Sequence, residues 1–135
     1  MSNLVEKVQS IYAAFGRGDV PAILEHLSPE VEWEYATGVD HGVPWLRPRR
    51  GRDGAAAFFA AAGAELEFRA FSPHTFVQGP SLVIVLVDLE VVVRKTGRAL
   101  AERDELHLWR FDGAGRVVGF RHGVDSAAHV AAWQA

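Results

Sequence analysis

The amino-acid sequence predicts an α+β fold, with helices gathered in the first half and a meander of antiparallel strands after them. Apolar residues recur at spacings of three and four near the N-terminus. From Leu66 onward they alternate with period two or run continuously. Short Gly-containing turns separate the later runs, so the helices are segregated from the strands rather than interleaved with them. The 135 residues suit one domain, 1–135, with a core large enough to be stable without staples.

Leu4, Val5, Val8, Ile11, Tyr12 and Phe15 mark an amphipathic helix from about residue 3 to 16, capped by Ser2 or Asn3 and ended by Gly16 and Gly18. Asp19 suits the N-cap of a second helix, with Pro21 in its first turn, where a missing N–H costs nothing. Ile23, Leu24 and Leu27 give this helix its core face, and Ser28-Pro29 closes it. Val31 to Tyr35 alternates, which places Val31, Trp33 and Tyr35 on one face of a strand. Ala36 to Arg52 reads as a long loop carrying His41 and Trp45, either exposed or part of a lid. Asp53 can cap a third helix, Gly54 to about Gly63.

Leu66–Phe71 and His74–Gln78 flank Ser72-Pro73 and read as one strand with a kink or bulge. Leu82–Arg94 is a long strand that turns at Lys95-Thr96-Gly97-Arg98 into Ala99–Phe111. Arg116–Val124 follows, and Ser126–Trp133 forms a short terminal helix. Helices packed on one face of a strongly curved sheet leave a conical cavity between the layers.

Composition narrows the function classes. With no cysteine, disulfides, thiolate metal sites and a cysteine nucleophile are excluded. A net charge of -3 without a long block of like charge disfavours nucleic acid as a partner. Arg47-Pro48-Arg49-Arg50-Gly51-Arg52 is the local exception and reads as a solvated loop, a salt-bridging entrance or an anion-recognition segment. Met1–Lys7 lacks a basic region followed by an apolar run, so no signal peptide is expected. Leu82–Val93 is too short to cross a bilayer and is interrupted by Asp88 and Glu90. A soluble cytoplasmic protein without a membrane partner is the expectation.

The chemistry concentrates in Ala101–Asp125, two alternating strands joined through Asp112-Gly113-Ala114-Gly115. Facing Phe111 with Arg116 sets Trp109 opposite Val118, His107 opposite Phe120 and Glu105 opposite His122, all on one face. A carboxylate within reach of an imidazole orients it and favours its charged form, so Glu105–His122 could act as an acid or base; the alternative is a self-satisfied cross-strand pair. His107, framed by Trp109, Phe120 and Trp33, could donate to a carbonyl oxygen or be a satisfied core residue. Tyr35 could donate a hydroxyl into the same cavity, or be a buried tyrosine with a backbone partner. The aromatic residues Trp33, Trp109 and Phe120, with Ile11, Tyr12, Phe58 and Val124, would line a pocket for a flat apolar ligand. No His-x-His or His-Glu-x-x-His spacing is present, and no metal or other cofactor is expected. Leu106 and Leu108, with Asp88, Glu90, Asp104 and Arg110, fall on the outer face, a wet surface or a dimer interface.

Val8-Gln9-Ser10-Ile11-Tyr12-Ala13-Ala14-Phe15-Gly16-Arg17-Gly18-Asp19 resembles the opening helix and Gly-Asp turn of the SnoaL-like proteins. These belong to the superfamily of nuclear transport factor 2, ketosteroid isomerase and the polyketide cyclases. Arg50-Gly51-Arg52-Asp53-Gly54 before a Phe-Phe helix fits the same pattern, as does Leu108-Trp109-Arg110-Phe111-Asp112-Gly113 followed by Arg121 and Val124-Asp125. The resemblance implies a cone, a strongly curved antiparallel sheet wrapped around three helices with an internal pocket, and dimerisation through the outer sheet face. Matched against ketosteroid isomerase, the helix tyrosine falls at Ile11, the proton-abstracting aspartate at or beside Tyr35, and the protonated aspartic acid at His107. None of the three types is retained, so that mechanism is not expected. The acid-plus-histidine arrangement of the cyclases is echoed by His107 and Asp125, although alternation turns Asp125 away from the pocket. Only Arg103 and Glu105 echo the Asp-Arg-Asp set of the epoxide hydrolases. The expected function is a small-molecule enzyme or binding protein; catalysis would be acid–base isomerisation, cyclisation or hydration of a hydrophobic carbonyl compound. The alternative is a non-catalytic homodimeric module.

Overall fold

The computed structural model describes residues 3–36, 38 and 41–135. Helix α1 (Leu4–Gly16) begins where the Asn3 side chain accepts the Glu6 N–H, which satisfies one of the donors a helix start leaves free. Ser2, the other candidate cap, lies outside the described residues. Gly18 ends the helix at φ 70°, a left-handed conformation that glycine takes without a Cβ penalty. Asp19 caps α2 (Val20–Leu24) as expected. Leu27, read as part of that helix, instead opens strand β1 (Leu27–Trp33).

The long loop contains a 3-10 turn (Pro44–Leu46) and a short strand β2 (Arg49–Arg50) that leads directly into α3 (Gly51–Glu65). Asp53 therefore sits inside the first turn of α3 and not at its cap. The arginine run ties these pieces together. Arg50 pairs with Glu32 at 2.8 Å, Arg49 donates to the Pro44 carbonyl and Arg52 to the Leu27 carbonyl. Thr37, Val39 and Asp40 of the loop lie outside the described residues.

The chain continues through β3 (Leu66–Gln78), β4 (Leu82–Val93), β5 (Ala99–Phe111), β6 (Val117–Gly123) and α4 (Ser126–Gln134). The strands form one curved, open sheet in the order β2-β1-β6-β5-β4-β3. Its long strands pair antiparallel as predicted, but β1 runs parallel to β6, so the sheet is mixed. Register shifts interrupt every long pairing, including two within β3 around Phe68–Ala70 and Pro73–Thr75. Such bulges bend strands and increase twist, which curls the sheet around the helices into the cone-like α+β fold. The buried residues of α1 and α3 meet Trp33, Val83, Val85, Val87, Trp109 and Phe120 from the concave face.

Two local departures from regular strand geometry decide what faces inward. On β5, Val87 pairs with Glu105 but Leu89 pairs with Glu102, so the strand carries one extra residue between them. Asp104 occupies that bulge at φ 57°, its N–H held by Asp88 at 3.0 Å. The extra residue resets alternation, and both Glu102 and Glu105 become buried. At the end of β1, Glu34 and Ala36 adopt φ 57° and 59°. Left-handed backbone at non-glycine residues costs about 1–2 kcal/mol each, and here it turns Glu34 into the interior and Tyr35 out.

Candidate functional site

The concave face of β5 and β6 carries a wall of imidazoles and carboxylates. Trp109 pairs with Phe120 and His107 with His122, two residues away from the register counted from a tight turn. Phe111 pairs with Val117 while Arg110 pairs with Gly119, so Val118 is an extra residue at the start of β6. A shift of two preserves the faces, which is why the right side chains point inward although their partners differ. Glu105 consequently does not meet His122. It accepts from His107 Nε2 at 2.7 Å, and His122 Nδ1 instead meets Glu34, which also accepts the His122 backbone N–H at 3.2 Å.

Hydrogen positions follow from the obligate donors. Trp109 Nε1–H donates to the Tyr12 oxygen at 3.1 Å, and the Tyr12 O–H donates to His107 Nδ1 at 2.6 Å. His107 then carries its hydrogen on Nε2 and donates it to Glu105. The same logic applies to a second chain that ends in α4. Trp45 Nε1–H donates to His129 Nδ1 at 2.9 Å, and His129 Nε2–H donates to Glu102 at 3.0 Å. Glu102 also accepts the N–H of Asp125, the residue whose side chain caps α4. His129 Nε2 lies 3.9 Å from Glu105, so the two chains adjoin.

The electrostatic settings of the two facing histidines are opposed. Burial lowers His107, and the hydrogen bond and charge of Glu105 only partly offset this, so His107 stays below the ordinary histidine value of 6.5. Burial acts on His122 in the same direction, but the charge and hydrogen bond of Glu34 outweigh it and hold His122 above 6.5. Burial would raise Glu105, yet the hydrogen bond from His107 and the charge of His122 keep its carboxyl low. Burial pushes the Tyr12 phenol up, so it remains a hydroxyl throughout the physiological range. The rings of His107 and His122 stand 4.9 Å apart and nearly perpendicular, at 87°.

Around this wall the lining is apolar. Ile11, Tyr12, Trp33, Phe58, Trp109 and Phe120 all border one cavity with Glu105, His107, His122 and His129, as do Phe15, Phe68 and Phe71 nearer its mouth. Trp33 stacks on Phe120 with centroids 4.4 Å apart, and its buried indole N–H has no partner among the described residues. The cavity is about 70 Å³, room for roughly two water molecules.

Two expectations fail. Tyr35 stands on the outer face, where its hydroxyl accepts from Arg110 Nε at 2.7 Å. Its ring lies on Gly119, where a Cβ would come within 3.1 Å of it. Val124 packs against the core without bordering the cavity. Of the two loop residues, Trp45 is not exposed, being 4% accessible and bordering the cavity, whereas His41 is exposed. The residues missed were Glu34, Glu102 and His129. Four consecutive polar residues, Glu102-Arg103-Asp104-Glu105, break alternation within a strand and were a readable sign of a bulge.

Donor atoms of Glu105, His107 and His122 come within 4.8 Å of one another, as do those of Glu102, Glu105 and His129. A metal needs unprotonated nitrogens, but Nε2 of both His107 and His129 carries the hydrogen it gives to a carboxylate. The donor set as arranged suits proton transfer.

A curved α+β sheet closed over an apolar cavity with an acid–base wall defines a small-molecule site. The chain belongs to the SnoaL-like domain family, whose model matches residues 8–120. An NTF2-like protein of unknown function from Burkholderia pseudomallei is similar over 100% of both chains, at 30% identity and a TM-score of 0.82. An NTF2-like protein from Burkholderia thailandensis is 26% identical over 100% of this chain and 99% of that one, also with a TM-score of 0.82. TerC, co-crystallised with polyporic acid, shares the fold at 24% identity and a TM-score of 0.81, covering 99% of this chain and 100% of TerC. No curated protein sequence matches the chain. No helix among the described residues is long and apolar enough to cross a membrane.

Proposed function

We propose that the chain is a cytoplasmic acid–base catalyst that isomerises, cyclises or hydrates a hydrophobic carbonyl compound without a cofactor. One observation carries this reading. Two facing imidazoles in an apolar cavity are driven in opposite directions, His122 toward the cation and His107 toward the neutral base. Titratable pairs whose surroundings push them apart are how a single site supplies an acid and a base at one pH. His122 uses Nδ1–H to hold Glu34, and its other ring nitrogen, Nε2–H, is the donor offered to the substrate. That proton is given to the substrate carbonyl oxygen. A substrate oxygen that takes the Tyr12 hydrogen bond frees Nδ1 of His107, which accepts the proton from the adjacent carbon. The C–H bond breaks and an enol forms; in a conjugated enol His107 returns its proton to a different carbon while the O–H proton passes back to Nε2 of His122, which restores the carbonyl and both histidines and completes isomerisation. The co-crystallisation of TerC with polyporic acid supports uptake of a small organic molecule by this fold.

Exchange of the α-protons of 2-butanone in D2O, followed by proton NMR, tests the reading without knowledge of the natural substrate. Wild type is expected to accelerate exchange, and His122→Gln and His107→Gln to lose about 100-fold to 10,000-fold of it with the fold retained. Exchange no faster than buffer, or full activity in both variants, contradicts the proposal.

The outer sheet face favours a homodimer as well. Leu106 is 44% and Val77 55% accessible, and they flank the less exposed Ile84, Leu86 and Leu108 in neighbouring strands. An exposed apolar patch of this kind is suited to a two-fold contact. Sedimentation is expected to give a dimer for wild type and a monomer for Leu106→Glu; a monomeric wild type refutes the contact.

A further inference from the structure

The hydrogen-bond chain that ends in α4 differs from the one through Tyr12 in the chemistry of its first donor. A phenol hydroxyl both donates and accepts, so Tyr12 can turn its hydrogen to a substrate and let His107 Nδ1 take a proton. An indole N–H only donates. Trp45 gives that hydrogen to His129 Nδ1 at 2.9 Å, and His129 gives its own from Nε2 to Glu102 at 3.0 Å. A proton on Nδ1 would set two N–H groups against each other and strand a buried indole donor. The surroundings hold this arrangement in place. His129 and Trp133 lie one turn apart on α4, and the Trp45 ring meets both, standing at 90° to Trp133 with centroids 5.7 Å apart. Glu102 accepts the Asp125 N–H at the start of α4, and Thr96 donates to the Ala132 carbonyl near its end. Both Trp45 and His129 are buried.

The charge of His129 matters because of where the ring sits. Its Nε2 lies 3.0 Å from Glu102 and 3.9 Å from Glu105, the two carboxylates that, after Glu34, favour the His122 cation. A charged imidazole there would cancel much of their field and would itself repel a charged His122. The groups that face His129 are Glu102 and Glu105 from β5, His122 from β6 and Trp45 from the loop, while Lys95 lies over the Trp133 ring one turn along α4. Burial lowers His129 by more than the carboxylates raise it, in keeping with a neutral ring. We infer that Trp45 is a positioning residue for the acid: its indole N–H locks His129 as a neutral donor, which leaves the negative field of Glu102 and Glu105 to act on His122. The inference rests on the proposed acid role of His122 for its bearing on catalysis. The lock itself is read from ionisation alone.

Histidine NMR titration of the full chain tests the lock. In wild type, His129 is expected to titrate below 6.5 and to show the Nε2–H tautomer. Trp45→Phe removes the N–H and keeps a ring, so His129 should titrate at higher pH than in wild type and His122 at lower pH. His129→Gln offers Glu102 an amide N–H and cannot ionise. The double variant Trp45→Phe/His129→Gln should therefore return His122 to its wild-type titration, and the alkaline limb of α-proton exchange should follow His122 in each variant. A wild-type His129 that titrates above 6.5, or carries its hydrogen on Nδ1, overturns the inference without any variant. So does a His129 unmoved by Trp45→Phe, or a His122 shift equal in the single and double variants. The expected shifts in a protein that exchanges no α-protons support the lock and remove the catalytic reading alone. Exchange lost in His122→Gln, with His129 unmoved by Trp45→Phe, does the reverse.

Discussion

His107–Glu105 and His122–Glu34 are the same chemical pair placed a few ångströms apart, yet they end in opposite states. Both imidazoles are buried, so desolvation disfavours the cation in each. The difference lies in what occupies the second nitrogen and how many carboxylates are near. His107 receives the Tyr12 hydroxyl on Nδ1, which fixes a neutral tautomer, and it feels the positive charge of His122. His122 makes one contact to Glu34 and senses Glu105 and Glu102 as well, so the negative field prevails. Sequence neighbours alone do not set a histidine's role; the partner of its other nitrogen does.

The largest expected effect that separates the pairs is on stability. Glu34→Ala removes the carboxylate that sustains the buried His122 cation and strands its Nδ1 and backbone N–H, and is expected to cost about 3–5 kcal/mol in urea denaturation at pH 6. Glu105→Ala leaves a neutral N–H unsatisfied and should cost only about 1–3 kcal/mol. Equal losses would erase the distinction. Next comes the pH profile of α-proton exchange. The acid His122 must be charged and the base His107 neutral, so activity should hold on both sides of pH 6.5, falling below it as His107 protonates and above it as His122 deprotonates. Glu34→Gln removes the charge that raises His122 and should move the alkaline limb to lower pH. Stability follows the same signs. The His122 contribution is complete below pH 6.5 and fades as pH rises through its raised folded value; that of His107 is complete above 6.5 and fades as pH falls.

The smallest effects compare an inner with an outer tyrosine. Tyr12→Phe strands the Trp109 N–H and His107 Nδ1 and should cost about 1–3 kcal/mol, with a marked loss of exchange. Tyr35→Phe removes an exposed bond to Arg110 and should change stability by at most about 1 kcal/mol, with exchange unchanged. An activity loss in Tyr35→Phe would restore it to the site.

The inward faces were legible because strand alternation survives an error of two in register. Glu105, His107, Trp109, Phe120 and His122 all point into the cavity for that reason. What escaped depends on backbone that breaks the period. Glu34 enters the site only through a left-handed residue at the end of β1, and Glu102 only through the bulge at Asp104. No propensity at Glu34 signals that turn, since glutamate is not a residue that favours left-handed conformations. His129 lies on a short Ala-rich helix with little apolar asymmetry, so periodicity could not say which side faces inward. Trp45 is placed by a loop, where spacing carries no facing information at all.

A histidine NMR titration of the intact protein addresses the opposed pair most directly. The account predicts His122 titrating above 6.5 and His107 below it, with His107 showing the Nε2–H tautomer. Titration of both near 6.5, or in the reverse order, would contradict it.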